Sequence, residues 1–322
     1  MVLEEFLAEW HNDSPTILVH TSGSTGKPKP MWVEKYRMLN SARITCDFLG
    51  LKEGDTALLC MPLDYIAGKM VVVRSLERHL RLITVEPSGH PLKGLKTSPA
   101  FAAMIPMQVY NSLQVTEEAA CLRGIRQLII GGGAIDPSLA EALRDFPHHV
   151  WSTYGMTETL SHIALRHLNE PQADTWYQTF DSVHVSLNAD GCLVIDAPQV
   201  CAKPLVTNDL AELSPDGQRF RIFGRKDNVI DTGGIKVQIE DVESRLRPHL
   251  HDAFIITKRP DKKFGEIIVL LTESKDLEPI RQLCQHVLPK YWQPKLFKTI
   301  DHIPTTETGK PARKEAELLA NN

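Results

Sequence analysis

Cysteine is scarce in this chain, and none of it is spaced for pairing. The six cysteines are Cys46, Cys60, Cys121, Cys192, Cys201 and Cys284, and no two form a C-x-x-C pair. That spacing excludes the usual zinc ribbons and any disulfide framework, and points to inert thiols in a reducing, cytoplasmic setting. Long apolar runs are also missing. None nears the roughly 18 residues that a membrane helix needs, so no membrane partner is expected. The N-terminus, "MVLEEFLAEWHND", lacks the basic start and apolar core of a secretion leader. Instead it is acidic and amphipathic. A charge excess is absent too: 36 basic residues face 40 acidic ones, for a net charge of −4. Such a balance carries no nucleic-acid footprint. An anionic ligand must then be met by local donors and a metal ion, not by the field of the whole molecule. Internal repeats and low-complexity segments are lacking as well.

What is present is an ordinary globular composition over 322 residues, 42% hydrophobic, enough for two domains. "PTILVH" reads as a strand entering a glycine-rich loop. "EKYRMLNSARITCDFLG" has Met38, Leu39, Ala42 and Cys46 at helical spacing. "TALLCMP" and "LRLITVE" read as strands around the helix "GKMVVVRSLERH". "IPMQVYNSL" opens a helix with Pro106 in its first turn, and "IRQLII" is a buried strand ending in glycines. Asp136 is the expected N-cap of the next helix, and "HHVWSTYG" is another strand. Alternating strands and helices predict an α/β fold with mainly parallel sheets. Beyond about residue 180, "DSVHVSLNADGCLVID" and "AELSPDGQRFRIFGR" read as hairpins with Asp-Gly turns. "RKDNVIDTGGIKV" reads as a polar linker. The spacing thus predicts a large domain over 1–226 and a small α+β domain over 227–322, with the boundary at Asp227.

The first chemical motif is "VHTSGSTGKPKP". Its glycines are too close for the P-loop of ordinary NTPases. Its hydroxyl groups, inward-turning backbone N–H groups and lysines still suit an anion nest, although a solvated Ser/Gly turn would look the same. The context is more specific. "TSGSTGKPKP", "YGMTET", "TNDL", "GRKDNVIDTGGIKV" and "TTETGKPARKE" occur in order over residues 19–314. Together they resemble the adenylate-forming superfamily of acyl- and aryl-CoA synthetases, luciferases and peptide-synthetase adenylation domains.

The resemblance implies activation of a small carboxylic acid with ATP and Mg²⁺ through an acyl-adenylate, then thioester formation with coenzyme A. It places the β- and γ-phosphates on Thr21, Ser22, Gly23, Ser24, Thr25, Gly26 and Lys29. It places adenine beside Gly132, Gly133, Ala134 and Tyr154, and the α-phosphate on Thr157. Glu158 would hold Mg²⁺; otherwise it is a helix-start carboxylate favoured by the macrodipole. Asp209 would take the ribose hydroxyls, and Arg225 would reach the nucleotide. The family reads T-G-D where this chain has Asn208, a residue that tolerates a left-handed turn. Lys310 would be the mobile catalytic lysine, or else a solvated tail residue. Asp227 falls at the family hinge, about which the small domain swings, and Gly233 and Gly234 fall on the coenzyme A side.

For the acid, the resemblance points to "CMPLDYIAGKMVVVRSL". Tyr65 could wall an aryl group or pack in the core, and Gly68 lies beside it. Lys69 and Arg74 could neutralise a second carboxylate, or at least one could be solvated. "TETLSHI" resembles the o-succinylbenzoate–CoA ligases of menaquinone biosynthesis, with Ser161 and His162 facing the substrate, or His162 merely packed. Twenty residues precede the first loop, far fewer than the family usually carries. A reduced N-terminal subdomain, or a fragment, is therefore expected, with a pocket more open or covered by a homo-oligomer partner. The competing readings are a ligase for another acyl or aryl acid, loading coenzyme A or a carrier protein, an inactive nucleotide-binding module, and a kinase or ATPase.

Overall fold

The structure is a computed structural model that describes residues 1–20, 29–306 and 310–322. The acidic N-terminus forms helix α1 (Leu3–His11), with Glu4 and Glu5 in the first turn, where the helix dipole favours negative charge. β1 (Thr16–His20) and β2 (Pro30–Glu34) pair antiparallel as a separate ribbon. Helix α2 (Lys35–Phe48) buries Met38, Ala42, Thr45 and Cys46, a stripe set by the helical period.

Strand and helix then alternate: β3 (Thr56–Leu59), α3 (Ile66–Arg78), β4 (Arg81–Thr84), β5 (Phe101–Met104), α4 (Pro106–Leu113), α5 (Thr116–Arg123), β6 (Gln127–Ile130), α6 (Pro137–Leu143) and β7 (His149–Gly155). These strands pair parallel in the order β4-β3-β5-β6-β7. β5 and β6 are buried at every residue, which accounts for their apolar sequence, broken only by Gln127. Asp136 caps α6 by accepting the Ser138 N–H at 2.8 Å.

After β7 the pairing turns antiparallel. β8 (His162–His167), β9 (Tyr177–Thr179), β10 (His184–Leu187), β11 (Cys192–Asp196), β12 (Leu205–Leu213) and β13 (Arg219–Arg225) follow. Among the described residues the strands form one 11-stranded sheet, ordered β10-β11-β12-β13-β9-β8-β7-β6-β5-β3-β4.

The expected linker is mostly strand. Lys226–Asn228 is a single 3-10 turn, and β14 (Val229–Thr232) and β15 (Ile235–Gln238) form a hairpin. Its turn is Gly233–Gly234, with φ of +64° and +80°, which suits glycine. Fully apolar burial is confined to Ile230 and Val237, so the segment reads as polar in sequence. α7 (Ile239–Leu246), β16 (Phe254–Asp261), β17 (Gly265–Thr272), α8 (Glu278–Val287), β18 (Leu296–Thr299) and α9 (Arg313–Asn321) complete the chain. Their sheet runs β15-β14-β17-β16, with β18 parallel to β17. It has a core of its own around Ile230, Val242, Leu246, Ile256 and Leu270. All six cysteines are free and buried. No helix among the described residues is long and apolar enough to cross a membrane.

Candidate active site

In open α/β sheets, ligands meet the carboxyl ends of the parallel strands. β7 ends there in Tyr154 and Gly155, and β6 runs into Gly131. The antiparallel register of β12 and β13 sets Asp209 opposite Arg225. The Tyr154 hydroxyl donates to Asp209 Oδ2 at 2.5 Å, and Asp209 Oδ1 lies 3.6 Å from Arg225. Burial, then the Asp209 charge, push the Tyr154 phenol well up, so it stays protonated and donates. Arg225 also grips Asp227 with two hydrogen bonds of 2.8 Å. Burial would raise the Asp227 carboxyl, but the Arg225 bonds and charge outweigh it and hold the group low. Gln238, at the end of β15, donates to the Arg225 carbonyl at 2.8 Å and ties the second sheet to β13. Tyr154, Asp209, Arg225 and Asp227, drawn from three stretches of sequence, thus form one connected chain.

The segment after β7 is tightly determined. A Cβ on Gly155 would lie 2.2 Å from the Ser161 carbonyl, so only glycine lets β7 pass that close. Thr159 Oγ1 accepts the Met156 N–H at 2.9 Å and sits 2.6 Å from the Ser161 carbonyl. Leu160 is held at φ +64°, an uncommon conformation for a bulky residue. Thr157 is buried, and the Glu158 side chain is exposed with no ion-pair partner among the described residues. No cluster of three or more His, Cys, Asp or Glu residues among the described residues could hold a metal alone. A lone carboxylate fits Mg²⁺ instead, because that ion takes one or two protein carboxylates and completes its shell with phosphate and water. Gly132, Gly133 and Ala134 follow β6, with Gly133 near Pro106 at the start of α4.

The acid-side residues divide. Lys69 and Arg74 are each 2% exposed, so neither is solvated, because α3 is enclosed along its whole middle. Lys69 Nζ reaches Met1 Sδ at 3.2 Å and the Phe6 ring, which turns it toward α1. Tyr65 is half-buried at the N-cap of α3, and Gly68 is buried against the Met61–Pro62 backbone. Arg74 instead meets Ser161. Its Nη2 donates to Ser161 Oγ at 2.6 Å and approaches Thr45 Oγ1 at 3.4 Å. Its Nε is buried with no partner among the described residues. Burial draws Arg74 down to about 10, and it remains a cation.

His162 is buried beside it, with Nε2 3.1 Å from Thr45 Oγ1 and Nδ1 3.2 Å from Ser161 Oγ. Sequence reasoning missed Thr45. Its only signal is a hydroxyl that, with Ser41, interrupts the mainly apolar stripe of α2.

Burial, then the Arg74 charge, hold His162 well below its ordinary value. The unfolded chain therefore binds a proton that the folded chain refuses. Stability is full above about pH 6.5 and falls as the pH drops below it, by up to about 1.4 kcal/mol per pH unit. Thermal melts from pH 7.5 to 5.5 should show this fall, and His162→Gln should reduce it, leaving the smaller share of His167, which burial also lowers. An unchanged slope in the variant would remove His162 as the titrating group.

Lys310 closes the neck of the C-terminal loop. Its N–H donates to Thr306 Oγ1 at 3.1 Å and its carbonyl accepts the Thr306 N–H at 2.7 Å. Burial alone lowers its ammonium, and no carboxylate of the described residues pairs with it. Gly233 packs against Phe264, whose ring carries Lys295 Nζ at 3.9 Å from its centroid and Lys263 at 5.3 Å. Thr21, Ser22, Gly23, Ser24, Thr25 and Gly26 lie outside the described residues, while Lys29 directly precedes β2.

The AMP-binding enzyme family matches residues 4–199. The 2-succinylbenzoate–CoA ligase of Bacillus cereus (strain AH820) is 25% identical, over 94% of this chain and 69% of that protein. A solved acyl-CoA synthetase (AMP-forming)/AMP-acid ligase II-like protein from Dyadobacter fermentans is 32% identical, with a TM-score of 0.66, over 98% of this chain and 92% of that one. The o-succinylbenzoate coenzyme A synthetase of Bacillus subtilis, solved with ATP and magnesium, shares the fold at a TM-score of 0.76 and 22% identity, over 92% of this chain and 69% of that one. A strand-end site that joins a tyrosine, an aspartate and an arginine next to a lone exposed glutamate is thus found in a chain that belongs to the AMP-binding enzyme family, an adenylate-forming acid ligase.

Proposed function

We propose that this ligase activates o-succinylbenzoate and transfers it to coenzyme A. The observation that carries the choice of acid is Arg74. A buried cation without a protein carboxylate costs several kcal/mol. Arg74 is such a cation, and its Nε lacks a partner among the described residues. An acid with two carboxylates answers this: one is activated, and the other supplies the missing counter-charge. The names of the curated relatives support the same choice.

In this reading Tyr154 lies beside adenine with Gly132, Gly133 and Ala134, Asp209 and Arg225 hold the ribose side, and Thr157 donates to the α-phosphate. The phosphate tail falls to the loop Thr21–Gly26 and Lys29. Glu158 would hold Mg²⁺, which when bound offsets phosphate charge. Lys310 bridges the attacking carboxylate and the α-phosphate as charge develops. Asp227 marks the joint between domains 1–226 and 227–322. Phe264, flanked by Lys263 and Lys295 beside Gly233, gives an aromatic face and two cations suited to the phosphorylated adenosine of coenzyme A, which favours coenzyme A over a carrier protein as acceptor.

The test incubates the protein with ATP, Mg²⁺, coenzyme A and a panel of mono- and dicarboxylic aryl acids, with products read by mass spectrometry. The expected products are o-succinylbenzoyl-CoA, AMP and pyrophosphate. A thioester from another acid alone would replace the substrate. ADP and phosphate would remove the reaction class.

A further inference from the structure

We infer that Thr45 and His162 are positioning residues for acid selection, holding the Arg74 guanidinium in the pose that receives the second carboxylate of the substrate. The inference rests on the choice of acid proposed above and adds to it the device that aims the cation.

The device is a ring of four side chains from three elements: Thr45 on α2, Arg74 on α3, and Ser161 and His162 at the start of β8. The proton on each member has one place to go. Thr45 donates to the Ser41 carbonyl one helical turn back, at 3.0 Å. Its oxygen must then accept, from His162 Nε2 at 3.1 Å and, more weakly, from Arg74 Nη2 at 3.4 Å, so Nε2 must carry a proton. This fixes the Nε2–H tautomer and leaves a lone pair on Nδ1. Ser161 Oγ–H donates to that lone pair at 3.2 Å. Arginine can only donate, so the oxygen of Ser161 accepts from Arg74 Nη2 at 2.6 Å. The opposite polarity would leave the Ser161 proton without an acceptor among the described residues.

The result is a one-way relay from Arg74 through Ser161 and His162 to Thr45 and the α2 backbone. It spends Nη2 on the protein and leaves Nε unsatisfied. Thr45, Arg74 and His162 are all buried, so the relay cannot borrow bulk water to repair a missing link. Without Thr45, His162 loses the acceptor that sets its tautomer, Ser161 loses its direction, and the guanidinium loses its fixed edge. Arg74 keeps its charge throughout, so what changes is aim.

The experiment compares KM and kcat of wild type, Thr45→Val, Thr45→Ser and Arg74→Met on two acids. One is o-succinylbenzoate. The other is 4-oxo-4-phenylbutanoate, the same keto acid without its ring carboxylate. Thr45→Val should raise KM for o-succinylbenzoate roughly 10- to 100-fold, with kcat within about twofold. KM for the monoacid should stay within about twofold. Thr45→Ser restores the hydroxyl and should return KM for o-succinylbenzoate to near the wild-type value, which also guards against a folding defect in the valine variant. An equal rise in KM for both acids, or no rescue by serine, would assign Thr45 a merely structural role and overturn the inference. A rise in KM for the diacid in Arg74→Met but not in Thr45→Val would also overturn it and leave the choice of acid standing. Failure of wild type to adenylate o-succinylbenzoate would overturn the choice of acid and this inference together.

Discussion

Lys310→Ala is expected to lower the rate of acyl-adenylate formation by roughly 10²- to 10³-fold, with ATP affinity changed by less than about threefold. The asymmetry follows from when charge appears. In the proposed reading, the phosphates of bound ATP are already matched by the loop donors and the metal ion. The charge that shifts during attack arises between the carboxylate and the α-phosphate, and a lysine placed there acts mainly in the transition state. Its ammonium is lowered by burial and pairs with no carboxylate among the described residues, so it is available for this task. The backbone bonds between Lys310 and Thr306 fix its point of attachment. Rapid-quench measurement of acyl-AMP separates this step from thioester formation. Thioester formation from preformed acyl-adenylate should be much less affected. A variant that forms acyl-adenylate at the wild-type rate would remove Lys310 from the chemistry.

The second large effect is expected at Glu158. Glu158→Gln keeps the side-chain length and one oxygen but removes the charge. Mg²⁺ favours charged oxygen ligands, and no alternative carboxylate cluster exists among the described residues. kcat/KM for ATP should fall by roughly 100-fold, and raising free Mg²⁺ should recover part of the loss. Recovery at high Mg²⁺ distinguishes a metal ligand from a residue that only shapes the turn. A loss that no concentration of Mg²⁺ relieves would return Glu158 to a helix-start role.

Much of the local structure around Tyr154, Asp209 and Arg225 was legible because short-range rules write it. Tyr154 lies next to the end of "HHVWSTYG", which reads as a strand in sequence. Asp209 and Arg225 sit on strands joined by an Asp-Gly turn, and the hairpin register then brings them face to face. Asp136 and Pro137 announce the start of α6 by capping chemistry alone. The acid side was harder to read. Thr45 and His162 are 117 residues apart, and nothing local to either says that they touch. In sequence Arg74 reads either as a counter-charge for a second carboxylate or as a solvated cation on a helix. Only the packing of α2, α3 and β8 around it removes the solvent. The hairpin of β14 and β15 was obscured for another reason. Its exposed positions are polar and its turn is glycine, so a strand pair at a sheet edge has the composition of a tether.

The tightness of the turn after β7 bears on any attempt to redesign this ligase for a new acid. Gly155 and Leu160 lock Glu158 and Ser161 into one stiff unit, so a substitution at Ser161 that crowds the strand passing over it will push on Glu158 as well. Under the proposed reading, retargeting by mutagenesis should therefore begin at Thr45 or on α3, away from the turn that carries Glu158.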